Sequence, residues 1–289
     1  MNTAPDISIA IINYNGASYI EACLDSVLNH QCDSTFEVIV VDNDSKDNSA
    51  SILKTYEDRV RVIYNDRNQG FSWANNQAFK DATGEFVFLL NNDTLMHDGV
   101  LDTLKDYLVK HPYVGVVSPK LLNEDGSLQN HGSSLNARHY RGSVPKKVPF
   151  VIGAAIMMRK DLYDQIGGLD EAYFFYNDDI DLCKTLHRMG YQVHYNPTVS
   201  VTHFVGLATK TRSIPSIIEG YRGSTYFVRK FYPYPIYLLY RLLMIAILIL
   251  QSLVYLPVSV YSSTARSTVS AYLKVIAILC TGNIEAIRT

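Results

Sequence analysis

The chain has 289 residues, 47% hydrophobic and 19% charged, which excludes a disordered chain or a disulfide miniprotein and leaves room for one large domain or two small ones. Its net charge of −2 conceals a split: residues 1–205 hold 17 Lys and Arg against 26 Asp and Glu, a formal −9, while residues 206–289 hold 9 against 2, a formal +7. An acidic body with a basic, acid-poor end suggests that the end faces an anionic partner. The four cysteines form no CxxC pair, so zinc-ribbon and disulfide-scaffold readings fall away and a reducing compartment fits.

The N-terminus places Asp6 before its first apolar run and carries no basic stretch, so it does not read as a secretory signal. Ile7–Ile12 is a predicted strand ending at Asn13-Tyr14-Asn15-Gly16, and Ala17–His30 a helix with Ile20, Leu24, Val27 and Leu28 on one face. Phe36–Val41 is a second strand, ending at Asp42-Asn43-Asp44-Ser45, and Asp47 or Asn48 can cap the following helix. Val60–Tyr64 is a third strand and Phe71–Ala82 a helix closed by Thr83-Gly84. Phe86–Leu90 is a fourth strand ending at Asn91-Asn92-Asp93, followed by a helix over Gly99–Lys110 and a strand over Val114–Val117.

This alternation implies an α/β fold: a mostly parallel, Rossmann-like central sheet covered by helices on both faces. Such sheets bind ligands beyond the carboxyl ends of their strands, where the amide- and acid-rich clusters fall. After Pro119 the alternation breaks. Leu121–Leu128 reads as a hairpin around Glu-Asp-Gly, and residues 130–149 as a mobile loop. Phe150–Met158 is strand-like, Ile180–Met189 helical, and Tyr191–Tyr195 and Thr198–His203 are two further strands.

Three places could carry chemistry. Asp93, after a buried strand and beside amides, suits a hard divalent cation, although Asn-Asn-Asp-Thr is also turn chemistry. Asp178, Asp179 and Asp181 open a helix behind four aromatics, more acids than capping needs. Crowded carboxylates in a partly apolar setting are where a general base is tuned, and Asp179 could take a proton from an incoming hydroxyl. His203 is either a satisfied strand-end residue or a neutral imidazole completing a metal site. Trp73 reads as core. At the far end, 24 uncharged residues between Arg241 and Arg266 are long enough to cross a bilayer, with tyrosines before them as in an interfacial belt. Pro257 and Gln251 weaken a clean single span, and a buried or interfacial helix is the alternative.

The segments IAIINYNG, VIVVDNDSKDNS, NQGFSWANNQA, FVFLLNNDT, GAAIMMRKDLYDQIGGLDEAYFFYNDDIDLCKTLHRMGY and HFVG occur in order within residues 7–206. Together they resemble glycosyltransferase family 2, with the GT-A fold, and especially its bacterial rhamnosyltransferase-like members. The resemblance implies an inverting transfer of a sugar, rhamnose by preference, from a nucleotide-diphosphate donor to a glycan or polyprenyl-diphosphate-linked acceptor in cell-surface polysaccharide assembly such as O-antigen. It implies that Asn13, Tyr14 and Asn15 line the nucleotide cleft, that Asp42 reads the base with Asp44 near it, and that Asn68, Gly70 and Asn76 complete the donor side. Asn91-Asn92-Asp93 stands where the family has its DxD-type motif, with Asn in place of the first Asp. Asp93 would bind Mg2+ or Mn2+, and His203 would join that site. Asp178-Asp179 stands where the family commonly has Glu-Asp, with Asp179 as base.

A catalytic domain over residues 1–230 is then expected, followed by a membrane-associated helical tail over 231–289 at the cytoplasmic face of the cell membrane. No nucleic acid is implied as a partner. The alternatives are a glucosyl-, galactosyl- or N-acetylhexosaminyltransferase of the same fold, or a non-catalytic nucleotide-sugar-binding protein.

Overall fold

Strands that are apolar on both faces must be covered on both faces, and the first half of the chain builds that arrangement. In β1 (Ile7–Asn13), Ile7, Ile9 and Ile11 face one core while Ala10 and Ile12 face a second. β2 (Phe36–Asp42) divides in the same way, Val38 and Val40 against Ile39 and Val41, as does β4 (Phe86–Asn91), Phe88 and Leu90 against Val87 and Leu89. The first core is closed by α1 (Ile20–Leu28), α2 (Ser49–Lys54) and α4 (Val100–Lys110). The second is closed by α3 (Phe71–Lys80), α5 (Lys160–Gln165) and α6 (Asp178–Arg188). Each fully buried aliphatic side chain in these layers contributes about 1.5–3 kcal/mol.

The computed structural model describes residues 4–129, 137–204 and 214–282. The remaining strands are β3 (Arg61–Tyr64), β5 (Thr94–Met96), β6 (Val114–Leu122), β7 (Lys146–Lys147), β8 (Ala155–Arg159) and β9 (Gln192–His203). Their order is β3-β2-β1-β4-β8-β6-β9-β5, with β7 on β9. β1 to β4 pair in parallel, whereas β8 runs antiparallel to both β4 and β6. Register puts Asn13 opposite Asp42, and Ile12 opposite Asn91, so the polar strand ends lie at one level.

Several boundaries differ from those expected. β6 continues through Pro119, because β9 pairs with it on both sides of a register shift. That shift accommodates Pro197, which has no N–H to give, and the two strands expected around it form the single strand β9. The hairpin after β6 is present as a Leu122–Leu128 bridge. The loop expected over 130–149 lies partly outside the described residues. Its described part is tied down by a short 3-10 turn at Ala137–Tyr140, the nearly fully buried Tyr140 and the β7–β9 pairing.

The chain divides into two compact units, residues 1–171 with 178–205, and residues 172–177 with 206–289. The second unit contains three helices among its described residues: α7 (Ile214–Phe231), α8 (Tyr234–Ser259) and α9 (Ser263–Thr281). They meet through Ile218, Leu248, Tyr272, Val275 and Leu279. Arg241 on α8 donates to the Leu279 and Cys280 carbonyls at the end of α9, satisfying groups a helix terminus leaves open. α8 has a mean hydropathy of 2.2 over its most apolar stretch, only 6% of which is buried in the protein. At 26 residues it is about 39 Å long, enough to cross a hydrocarbon layer of about 30 Å. Pro257 sits in its last turn without ending it.

Candidate active site

The ends of β1, β2 and β4 are joined by a chain of side-chain hydrogen bonds. Asn92 Nδ2 donates to Asn13 Oδ1 at 2.7 Å, and Asn13 Nδ2 donates to Asp42 Oδ1 at 2.8 Å. Asp42 also accepts from Ser45 Oγ at 2.6 Å and Ser45 N–H at 3.2 Å. Asp42, expected to read the base, is therefore 4% exposed and serves inside the protein as a brace. Its neighbour Asn43 plays a part that the motif reading did not assign. Asn43 Nδ2 donates to Asn68 Oδ1 at 2.8 Å and to the Gly70 carbonyl at 3.2 Å, while its Oδ1 accepts from Asn65 and from Gln69 N–H. Asn68 in turn accepts from Gly70 N–H, and Gly70, at φ 96, turns the chain into α3.

On the open side, Tyr14 is 50% exposed, and Asn15 and Asp44 adopt left-handed backbone, φ 51 and 68, which Asn and Asp tolerate best. Asn15 Oδ1 accepts from Lys46 N–H at 2.7 Å, and Asp44 pairs with the exposed Lys46 ammonium at 2.5 Å. An ion pair that exposed adds little stability. Asn76 does not join this group. Its Oδ1 accepts from Tyr163 Oη and Leu169 N–H, and its Nδ2 donates to the Leu169 carbonyl and Glu171. It holds the turn after α5, where its carbonyl fills the space a Cβ at Gly168 would need. Trp73 packs partly buried against the second core, as expected.

Asp93 and His203 come together because β5 pairs with the end of β9, Thr94 opposite His203. Asp93 Oδ1 lies 3.3 Å from His203 Nε2, and Asn91 Nδ2 lies 3.4 Å from the same nitrogen. Asn91 Oδ1 is buried without a hydrogen-bond partner. A carboxylate, an imidazole nitrogen and an unsatisfied amide oxygen, from the end of β4 and the end of β9, fit a divalent cation such as Mg2+ or Mn2+. Among the described residues no group of three His, Cys, Asp or Glu side chains surrounds such a site. The remaining positions suit phosphate oxygens and water, as is usual for Mg2+.

The third cluster opens α6. Asp178 is 8% exposed, and Asp179 beside it accepts from Gly153 N–H at 3.1 Å and Ile180 N–H at 2.7 Å. Burial, followed by the Asp179 charge, pushes the Asp178 carboxyl well above the ordinary carboxylate range. Burial also raises Asp179, but the two backbone N–H groups favour its charged form. The two buried carboxyls titrate as a pair, and burial holds both above the ordinary carboxylate range. Asp181 belongs to the helix instead, accepting from Thr185 one turn on. Gly153, unassigned by the motif reading, is the link: the next residue, Ala154, accepts through its carbonyl from Asn91 N–H at 2.9 Å. The acid pair and the end of β4 are thus tied to two adjacent residues at the entry to β8.

A mixed sheet with helices on both faces and polar strand ends at one level defines the GT-A class of fold. Residues 8–167 match the family model for glycosyl transferase family 2, and the chain belongs to that family. It is similar to the N-acetylglucosaminyl-diphospho-decaprenol L-rhamnosyltransferase of Mycobacterium tuberculosis, 23% identical over 76% of this chain and 82% of that one. It is also similar to the O-antigen biosynthesis protein RfbC of Myxococcus xanthus, 26% identical over 73% of this chain. Some curated relatives are far longer, and the chain spans 25% and 18% of two of them. The mannosyltransferase PcManGT from Pyrobaculum calidifontis, solved with GDP-Man and Mn2+, superposes over 100% of this chain and 82% of its own at a TM-score of 0.58 and 22% identity.

Proposed function

We propose that the protein transfers a sugar, with rhamnose the first candidate, from a nucleotide-diphosphate donor to a hydroxyl of a lipid-linked or glycan acceptor, inverting the anomeric centre. The observation that carries this reading is the Gly153-Ala154 link, which ties a backbone-held carboxylate to the strand end bearing Asn91, Asn92 and Asp93. Asp93, His203 and Asn91 Oδ1 would hold Mg2+ or Mn2+, whose chemistry is to neutralise the departing diphosphate. Asn13 and Asn92, fixed by Asp42, present the donor side, and Tyr14 offers an exposed ring to it. Asn68 and Gly70 shape the entry to α3 and are themselves shaped by Asn43, while Asn76 supports from behind.

Asp179 accepts the proton of the acceptor hydroxyl as that oxygen attacks. Asp178, carrying the pair's proton, keeps a second negative charge away from the site. In-line attack from the face opposite the leaving group gives inversion. The rhamnosyl preference and the lipid-linked acceptor are supported by the mycobacterial relative, whose name states both. The exposed apolar α8 and the basic end support placement at the cytoplasmic face of a membrane. We place the catalytic domain at residues 1–230 and the membrane-associated segment after it.

The test is a donor screen. The full chain, supplied with Mg2+ or Mn2+, is offered dTDP-rhamnose, UDP-glucose, UDP-galactose and UDP-GlcNAc, and release of the nucleoside diphosphate is measured. Turnover of one donor, abolished by chelation, is the expected result. Binding without turnover of any donor, with or without acceptor, would instead favour a nucleotide-sugar-binding protein.

A further inference from the structure

We propose that Gln129 sets the tautomer of His203 and so prepares its Nε2 lone pair for the cation; the proposal rests on the reading of Asp93 and His203 as cation ligands. Gln129 is 6% exposed and is delivered by the hairpin that follows β6. That hairpin is closed by Asn123 N–H to the Ser127 carbonyl at 2.8 Å and Gln129 N–H to the Leu121 carbonyl at 2.9 Å. Gly126, at φ 79, makes its turn, and Ser127 N–H donates to Asp125 Oδ1.

The orientation of the Gln129 amide follows from its partners. One end lies 3.2 Å from the His203 carbonyl and 3.4 Å from Asn123 Oδ1, both acceptors, and must therefore be the NH2 group. The other end, Oε1, then faces His203 Nδ1 at 2.9 Å. A carbonyl oxygen has no hydrogen to give, so Nδ1 carries the proton. In the neutral ring Nε2 is left with its lone pair, toward which Asn91 Nδ2 also points. That lone pair faces Asp93 Oδ1 at 3.3 Å. Two electron-rich atoms set so close are completed by a shared positive charge, and a divalent cation supplies it. Without Gln129 the ring would favour the other tautomer, Nε2–H donating to Asp93, which hides the lone pair. Gln129 is thus a positioning residue, acting through His203 in the way outer partners fix metal-ligating histidines.

The test uses the full chain in detergent, with Mn2+ alone as the probe. His203 is observed by 15N NMR of histidine-labelled protein without metal, its signal assigned by loss in His203→Gln, and Mn2+ affinity is read by EPR titration. Wild type should show the Nδ1–H form. Gln129→Met, similar in length but without an acceptor oxygen, should move His203 toward Nε2–H and weaken Mn2+ binding by roughly 10- to 100-fold. Gln129→Glu keeps an acceptor facing Nδ1 but turns its second oxygen toward the His203 carbonyl and Asn123 Oδ1, so it should retain the Nδ1–H form at a lower Tm. A folded Gln129→Met protein with unchanged tautomer and Mn2+ Kd within about twofold of wild type would overturn the proposal. If Gln129→Met does not fold, Gln129→Glu decides, and loss of the Nδ1–H form there overturns it. Should Asp93→Ala and His203→Ala leave Mn2+ affinity intact while Gln129→Met still switches the tautomer, the cation reading fails and the tautomer assignment stands.

Discussion

Asp179→Asn should reduce sugar transfer by about 10²- to 10⁴-fold, the range general-base catalysis supplies, while donor affinity stays close to wild type. The two N–H donors on its carboxylate favour the charged form of Asp179 against the burial that raises it, and an amide cannot accept the acceptor's proton. Asp178→Asn is the contrasting variant. With the pair's proton on Asp178, as proposed, the change exchanges one neutral group for another of the same shape, so activity should fall by less than about tenfold. In wild type the acid limb of the kcat/KM profile should lie above the ordinary aspartate value of about 3.9, because burial raises both groups. The stability effect has a definite sign. The folded pair binds its proton more tightly than the unfolded chain, so its contribution is present at low pH and declines as pH rises through the raised range. Asp178→Asn should remove that decline, seen as a Tm that depends less on pH. Equal loss of activity in both variants would refute the division of roles.

Gly16→Ala should be the most damaging single methyl in the site. A Cβ there would fall 2.0 Å from Asn92 Nδ2 and 2.3 Å from Asn13 Oδ1, the two atoms whose hydrogen bond joins β4 to β1. Neither end can retreat alone. Asn13 is completely buried and bound to Asp42 and Ser45 on its other side. Overpacking of this kind costs about 1–3 kcal/mol. A stability loss of 1 kcal/mol lowers Tm by about 2–4 °C in a unit of this size. With Asn92 on the donor side, as proposed, donor affinity should fall together with Tm. Calorimetry with and without the donor identified by the screen measures both, and a variant with wild-type values in each would show that the strand ends are not coupled through this contact.

Much of the first unit was legible in the chain because its signals are local. Runs such as Ile7–Ile12 and Phe86–Leu90 are apolar on both faces, and each ends in a polar cluster that the register then places at one level. Asp178 and Asp179 were legible for a similar reason, as acids opening a helix. What escaped depends on pairing between distant segments. β5 is three residues long, too short to show a period, yet its pairing with β9 brings Asp93 to His203. Gln129 reaches a histidine 74 positions away, and nothing near it in sequence announces that contact. Asn43 stands between two acids whose charge masks it in the sequence, although it is 2% exposed and joins two loops. In the tail, the 24-residue uncharged run hid a helix break. One helix ends at Ser259 and Ser262 caps the next, its Oγ accepting from Ala265 N–H, so uncharged composition continues where the backbone turns.

The short segment 172–177 bears on how the protein can be cut. It groups with the C-terminal helices although it lies in the middle of the chain, immediately before the acid pair. Tyr173 packs edge-on against Tyr226, and Asn177 Nδ2 donates to the Gly220 carbonyl while its Oδ1 accepts from Ser224 Oγ. Tyr176 and Asn177 both hold left-handed backbone at φ 67, a conformation that needs such outside support. A fragment ending at residue 205 would lose all of these partners, whereas one ending after Phe231 keeps every one of them and omits the apolar α8. For a fragment without the apolar α8, α7 therefore has to be retained, and the cut belongs at the turn before Tyr234.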